Sequence, residues 1–420
     1  MYVRTKLYCK KVEENVAVTK RECRNTQDMK YENRLRVLQM IATGGSLSRA
    51  SITAATGLSK MSISNITGDL ICAGLVNETP STDSHSGISG RIPLLLELSP
   101  LSPCVMGLYI RRKHCTVLVT DLSAKIITEE FQPYSENMTG RELLKITAAL
   151  CENAVKVCPR KILCIGIASL GPVNAQTGVI ISPPNFFGIH DLPIRVHLQE
   201  RLQLPCFLIH DASAGALAES LYGICREDTE FIYLQMQNGI GLGMVLNGDV
   251  YDGAIGLCGE LGHTSIDFRG AQCDCGNRGC LELYANEHRL MESFLSHGGQ
   301  LPQDEEEGEI FRIAVNAAAN RDPAALCALD EYTDCVAVGL LNCINLIDIH
   351  KIVLGYRGDN NGLVEKMIQR KIERRLLVRE VRRIEVVRST FLYRAPTIGA
   401  AALAARHVFC GDLPIQITEA

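Results

Sequence analysis

The chain has 420 residues, a hydrophobic content of 46% and a formal net charge of −4. That length suggests two or three domains, and that charge excludes a chain-wide basic surface, so any contact with nucleic acid has to be local. No apolar run reaches membrane-spanning length and no signal-like apolar core opens the chain, so no membrane partner is expected, and 18 cysteines then point to thiols and a metal site in a reducing cytoplasm rather than a disulfide framework.

Residues 1–28 are polar and of mixed charge, either a solvated tail or an arm that touches DNA phosphates. Residues 29–100 carry the pattern of a small helical domain. Leu35, Val37, Leu38 and Ile41 have helical spacing, ended by Gly44-Gly45. Ser46 to Thr56 predicts a second, short helix with Ile52 and Ala55 inward. Gly57-Leu58-Ser59 makes the turn, and Lys60 to Ala73 predicts a third helix with Ile63, Ile66, Leu70 and Ile71 on its apolar side. Helix, glycine-containing turn and helix make up the DNA-binding helix-turn-helix. The Ser-, Gly- and Asp-rich run from Asn77 to Arg91 reads as a wing, closed by Ile92–Leu98. In such a domain the start of the third helix meets the major groove. That puts Ser59, Lys60, Ser62, Ser64 and Asn65 at base edges or phosphates, and Arg91 at the minor groove or a phosphate. A plain three-helix protein-interaction module is the alternative, because bases and acids nearly balance between Arg36 and Leu98.

Pro100 to Pro103 marks a domain boundary. Beyond it the pattern turns to strands at Val105–Ile110, His114–Thr120 and Lys125–Phe131. A helix at Arg141–Cys158 and a buried strand at Ile162–Ala168 follow. A short apolar strand, Phe207–Ile209, ends in His210-Asp211, with a helix over Ala212–Leu221. The run Asp304 to Glu309 is acidic and reads as a solvated loop or helix start, Ala324–Ile347 as a long apolar helix, and Ile352–Gly355 as a buried strand. Strands alternating with helices give an α/β class. Between these elements, Cys273, Cys275 and Cys280 lie within eight positions, with His263 just upstream. Three thiolates and one imidazole satisfy a tetrahedral zinc ion, and a closed set of four protein ligands implies a structural site. The alternative is a reduced, cysteine-rich loop without metal.

Gly-Glu-Leu-Gly-His at 259–263, followed by Cys-Asp-Cys-Gly-Asn-Arg-Gly-Cys-Leu-Glu at 273–282, resembles the signature of the ROK family. That family comprises repressors, open reading frames and sugar kinases. The resemblance runs from about Asn33 to the C-terminus, and Ala-Thr-Gly-Leu-Ser-Lys-Met-Ser-Ile-Ser-Asn-Ile at 55–66 is similar to the winged helix-turn-helix at the front of its repressors. The implied architecture is an N-terminal winged helix-turn-helix followed by a two-lobed actin-like ATPase fold over 101–420, with a zinc loop at 263–280.

The resemblance also assigns the cleft. The kinases hold ATP phosphate with Asp-x-Gly-Gly-Thr, where this chain has Tyr109, Arg111, Arg112 and Lys113. A second phosphate loop, Asn238 to Gly243, is altered. Gly355-Tyr356-Arg357-Gly358 departs from the Gly-Gly near the adenosine. The ATP site is therefore expected to be defunct and the protein not an enzyme. The sugar side is better kept. Ser182-Pro183-Pro184-Asn185 resembles the loop over the sugar, and Asp211 matches the general base toward the sugar hydroxyl. His210 stands where the kinases have Asn, as in the N-acetylglucosamine-type repressors. Glu260 and Glu282 match residues that bind sugar hydroxyls, and His263 can touch sugar through one ring nitrogen and zinc through the other. Asp211 as a helix cap and Glu282 as a surface charge are the plain alternatives. The expected function is a sugar-responsive transcriptional repressor, a homodimer or dimer of dimers on operator DNA, with a sugar or sugar-phosphate effector. A sugar-transport protein is a further candidate partner, and a sugar kinase with an added DNA-binding head is the alternative function.

Overall fold

Leucine and isoleucine at helical spacing build the N-terminal part of the chain. The computed structural model describes residues 26–80, 94–236, 239–301, 309–358, 362–415 and 417. They fall into two units, Met1–Glu97 together with Phe409–Ala420, and Leu98–Val408.

The first unit holds α1 (Thr26–Gly44), β1 (Leu47–Ser48), α2 (Arg49–Thr56), α3 (Lys60–Cys72), β2 (Val76–Pro80) and β3 (Leu94–Leu98). Leu35, Leu38, Ile41, Ile52, Ile63, Leu70 and Leu96 are its buried core. Inside it, Arg34 Nε donates to Asp69 Oδ2 at 2.8 Å. The strands form one sheet in the order β1-β3-β2. That pairing corrects the second helix, expected from Ser46. Leu47 and Ser48 pair with Leu96 and Leu95, so the helix starts only at Arg49, and Ala55, expected inward, is exposed. Residues 304–308 of the acidic run Asp304–Glu309 and residues 81–93 of the expected wing, Arg91 among them, lie outside the described residues. The C-terminal segment, expected to stay with the body, groups with this unit, where the Ile415 N–H donates to the Tyr31 hydroxyl oxygen at 3.1 Å.

The second unit starts with β4 (Cys104–Ile110), β5 (His114–Asp121), β6 (Ile126–Pro133), α4 (Gly140–Val157) and β7 (Ile162–Ser169). Then come the short strands β8 (Val173–Asn174) and β9 (Val179–Ile180), followed by α5 (Ile194–Leu202), β10 (Cys206–His210) and α6 (Asp211–Tyr222). The second half begins with β11 (Phe231–Met236), β12 (Ile240–Leu246) and β13 (Asp249–Val250). It continues with α7 (Glu287–Ser296), α8 (Ile310–Ala319), α9 (Pro323–Ile347), β14 (Lys351–Gly355), α10 (Leu363–Arg375), β15 (Glu385–Arg388) and α11 (Ala395–Phe409).

Two five-stranded sheets result, β10-β7-β4-β5-β6 and β13-β12-β11-β14-β15. In each, three antiparallel strands are extended by two parallel ones on the side of the first. The body is thus two lobes repeating one topology, the architecture of the expected actin-like fold. Glycines bring α11 onto the first sheet: a Cβ on Gly166 of β7 would lie 1.9 Å from the Ala400 carbonyl oxygen. Asn238 of the expected phosphate loop Asn238–Gly243 lies outside the described residues, and from Ile240 on the loop is strand, the start of β12. Gly243 serves close packing there, because a Cβ would lie 2.2 Å from the Ala212 carbonyl oxygen of α6.

Candidate functional site

The parallel strands of the first lobe and the first strand of the second end at one cavity. It has a volume of about 830 Å³, and Asn185, His210, Asp211, Glu260, His263 and Glu282 all line it. β10 delivers His210 at its last residue, and Asp211 opens α6. Asp211 does not cap that helix, whose N-cap is His210 without a side-chain cap bond. Instead its Oδ2 accepts from the Tyr109 hydroxyl at 3.0 Å and from Gln235 Nε2 at 3.4 Å. Burial, with the Asp211 carboxylate beside it, holds the Tyr109 phenol well above its usual range, so it stays a donor. His210 Nε2 lies 3.4 Å from Asp211 Oδ1. His210 Nδ1 and Gln235 Oε1 are buried without a hydrogen-bond partner among the described residues. Leaving such atoms unpaired is costly, and a bound hydroxyl would satisfy them.

Three glycines make room for the other carboxylates. A Cβ on Gly171 would lie 2.9 Å from Glu260 Oε1, and on Gly239 and Gly262 it would lie 2.9 and 3.0 Å from Glu282 Oε2. Glu282 therefore faces the cavity rather than open solvent. The turn between β4 and β5 forms a different wall. Arg112 Nη1 donates to the carbonyl oxygens of Pro184 and Asn185, and the Arg111 guanidinium sits 5.4 Å from the centre of the Tyr109 ring. On the loop that Arg112 holds, Ser182 Oγ and His190 Nδ1 are 2.9 Å apart. Tyr356, expected near the adenosine position, is fully buried and donates its hydroxyl to Glu365, while Arg357 pairs with Glu309.

His263, Cys273, Cys275 and Cys280 come together beside this cavity, with their ligand atoms all within 4.8 Å of one another. His263 Nδ1 is 3.7 Å from Cys273 Sγ, and the Cys275 and Cys280 sulfurs are 3.7 Å apart. A tetrahedron with metal–sulfur bonds of about 2.3 Å has edges of about 3.8 Å, so spacing and donor set fit a metal ion with no open position. A tight knuckle shapes the cluster: the Cys273 N–H donates to the Asn277 carbonyl at 2.8 Å and the Gly276 N–H to the Cys273 carbonyl at 3.0 Å. The Asn277 backbone draws the Cys275 thiol below its usual range. Burial pushes Cys280 up to about 12, which a cation at the centre would reverse. Next along the chain, Leu281 is fully buried against Gly339 of α9, and that anchor aims Glu282 at the cavity.

In the first unit, Ser59 is the N-cap of α3, accepting from the Ser62 N–H at 3.1 Å. Lys60, Ser64 and Asn65 are exposed, and Ser62 is half-buried with its Oγ 2.9 Å from that of Ser59. The sequence reading missed Met61, which is 72% exposed in the first turn of α3. Its signal was an apolar residue out of phase with the buried face. It also missed Gln235, a polar residue inside the apolar run Phe231–Met236.

A family model described as the ROK family matches residues 105–407. The xylose repressor of Caldicellulosiruptor bescii is 28% identical over 386 residues, covering 89% of this chain and 96% of the relative. The DNA-binding transcriptional dual regulator NagC of Escherichia coli K12 is 28% identical over 404 residues, covering 94% and 97%. A crystal structure of a ROK family transcriptional regulator, a homologue of the E. coli MLC protein, matches with a TM-score of 0.73 at 26% identity, covering 91% of this chain and 97% of that one. The family match runs from the first strand of one lobe to the closing helix and encloses the histidine–cysteine cluster, and the chain belongs to the ROK family.

Proposed function

We propose that this chain is a sugar-responsive DNA-binding transcriptional repressor that works as a dimer on a two-fold operator. The observation that carries the reading is the convergence of six hydroxyl-binding candidates on one cavity, in a chain that also carries a helix-turn-helix head. Carboxylates accept from sugar hydroxyls, and imidazole and amide groups both donate and accept. A cavity of about 830 Å³ has room for a small ligand. The repressor relatives support the role of the head. Lys60, Ser62, Ser64 and Asn65 face the DNA in this reading. Ser59 fixes the start of the helix, and Met61 adds an apolar contact of the kind that reads a thymine methyl. His263, Cys273, Cys275 and Cys280 hold a structural zinc ion, which stiffens the knuckle carrying Glu282.

Asp211 on the cavity wall favours a second reading, ATP-dependent sugar phosphorylation. Against it, the Asp211 carboxylate is already engaged by Tyr109 and Gln235, and arginines replace the glycines of the first phosphate turn. Glycine there lets backbone N–H groups reach a phosphate, and a side chain blocks that approach. A thermal-shift screen separates the two. A sugar or sugar phosphate should raise the melting temperature by mass action, and ATP should leave it unchanged. ATP-dependent phosphorylation of any hexose, lost in Asp211→Asn, would instead establish the kinase.

A further inference from the structure

We infer that the effector carries an anionic group, a phosphate ester or a carboxylate, bound by Arg112 together with Ser182 and His190. This deepens the sugar-sensing reading and rests on it. The cavity has two chemically different walls. Asp211, Glu260 and Glu282 offer acceptors to hydroxyls and repel an anion. The turn between β4 and β5 offers the opposite chemistry through Arg111 and Arg112. Two backbone carbonyls, of Pro184 and Asn185, fix the Arg112 guanidinium in place by its Nη1. Carbonyls orient a guanidinium without neutralising it, and among the described residues Arg112 has no carboxylate partner. Its Nε and Nη2 donors remain, in the planar fork that matches an oxyanion. The carbonyls it holds belong to the loop that carries Ser182 and His190, both of which line the cavity and lie 2.9 Å apart, Oγ to Nδ1. A hydroxyl and an imidazole thus join the guanidinium around one loop. A neutral sugar would use the carboxylate wall and leave this charge unmatched, whereas a sugar bearing an anion engages both walls.

The test is calorimetric titration of the full chain with glucose, mannose and N-acetylglucosamine, each beside its 6-phosphate, with glucuronate and inorganic phosphate as further arms. A charged form should bind roughly 10-fold or more tighter than its neutral parent, as a charge-assisted contact requires. That advantage should shrink as salt rises. The phosphate and uronate arms tell the two anions apart. Arg112→Gln should cost the charged form several-fold more affinity than the neutral sugar, which loses at most what the Asn185 loop loses with its staple, and Arg112→Lys should restore part of the difference. Neutral sugars binding as tightly as charged ones would overturn the inference and leave the sugar-sensing reading standing. An equal loss for charged and neutral forms in Arg112→Gln would reduce Arg112 to a loop staple. No binding by any sugar would overturn both.

Discussion

Asp211 is held by partners far away in sequence. Tyr109 lies 102 residues before it, Gln235 lies 24 after it, and both point their donors at the same carboxylate oxygen. The carboxylate is thereby fixed as a hydrogen-bond acceptor, which suits recognition of a hydroxyl more than removal of its proton. His210 Nδ1 and Gln235 Oε1, buried and without a partner among the described residues, extend this polar patch into the cavity. The cysteine cluster makes a separate residue-scale demand. Each sulfur has to be a thiolate for an ion to bind, and binding energy at a closed site is folding energy. Metal analysis of protein purified without added zinc should find about one ion per chain, and Cys275→Ser should lose both the ion and thermal stability. A Cys275→Ser variant that melts like the parent would remove the structural role of the metal.

Among the elements, α3 depends on its first turn. Ser59 satisfies the Ser62 N–H, one of the donors that an α-helix leaves unpaired at its start. Ser59→Ala should cost ~1 kcal/mol of helix stability, read as faster amide exchange in the first turn of α3, while Ser59→Asp should keep the protection. Unchanged exchange in Ser59→Ala would return Ser59 to the list of DNA contacts. Helical spacing made α1 and α3 legible in the sequence, and alternation with turns did the same for β4 to β7. The start of α2 was not legible, because Leu47 and Ser48 are claimed by a strand some 50 positions later, a pairing no local pattern records. β12 was hidden for the opposite reason. Its glycines read as a loop, but they are there so that α6 can lie against the strand. In the cavity, motif residues named the carboxylates and imidazoles. The Tyr109 contact depends on β4 and β10 sharing a sheet, and the Gln235 contacts on bringing the second lobe up to the first, so spacing along the chain could not reveal them.

At the scale of the whole molecule, two lobes of one topology enclose the cavity, and α6 and α11 bring glycine-tight contacts from both sheets together. The N-terminal unit is joined to the body twice along the chain, at Glu97–Leu98 and at Val408–Phe409, the second directly at the end of α11. A ligand alters DNA binding only if it binds one state of the body more tightly than another. The proposed repressor therefore needs a sugar whose affinity differs between the DNA-bound and DNA-free chain, and linkage makes that difference reciprocal. The most direct measurement takes a duplex selected by the full chain from a random-sequence pool and titrates it with and without saturating sugars and sugar phosphates. The expected result is tight, salt-dependent binding that one ligand weakens by roughly 10-fold or more, with no such response in Asp211→Asn. Binding that every ligand leaves unchanged, or failure to select any duplex, would contradict the central claim.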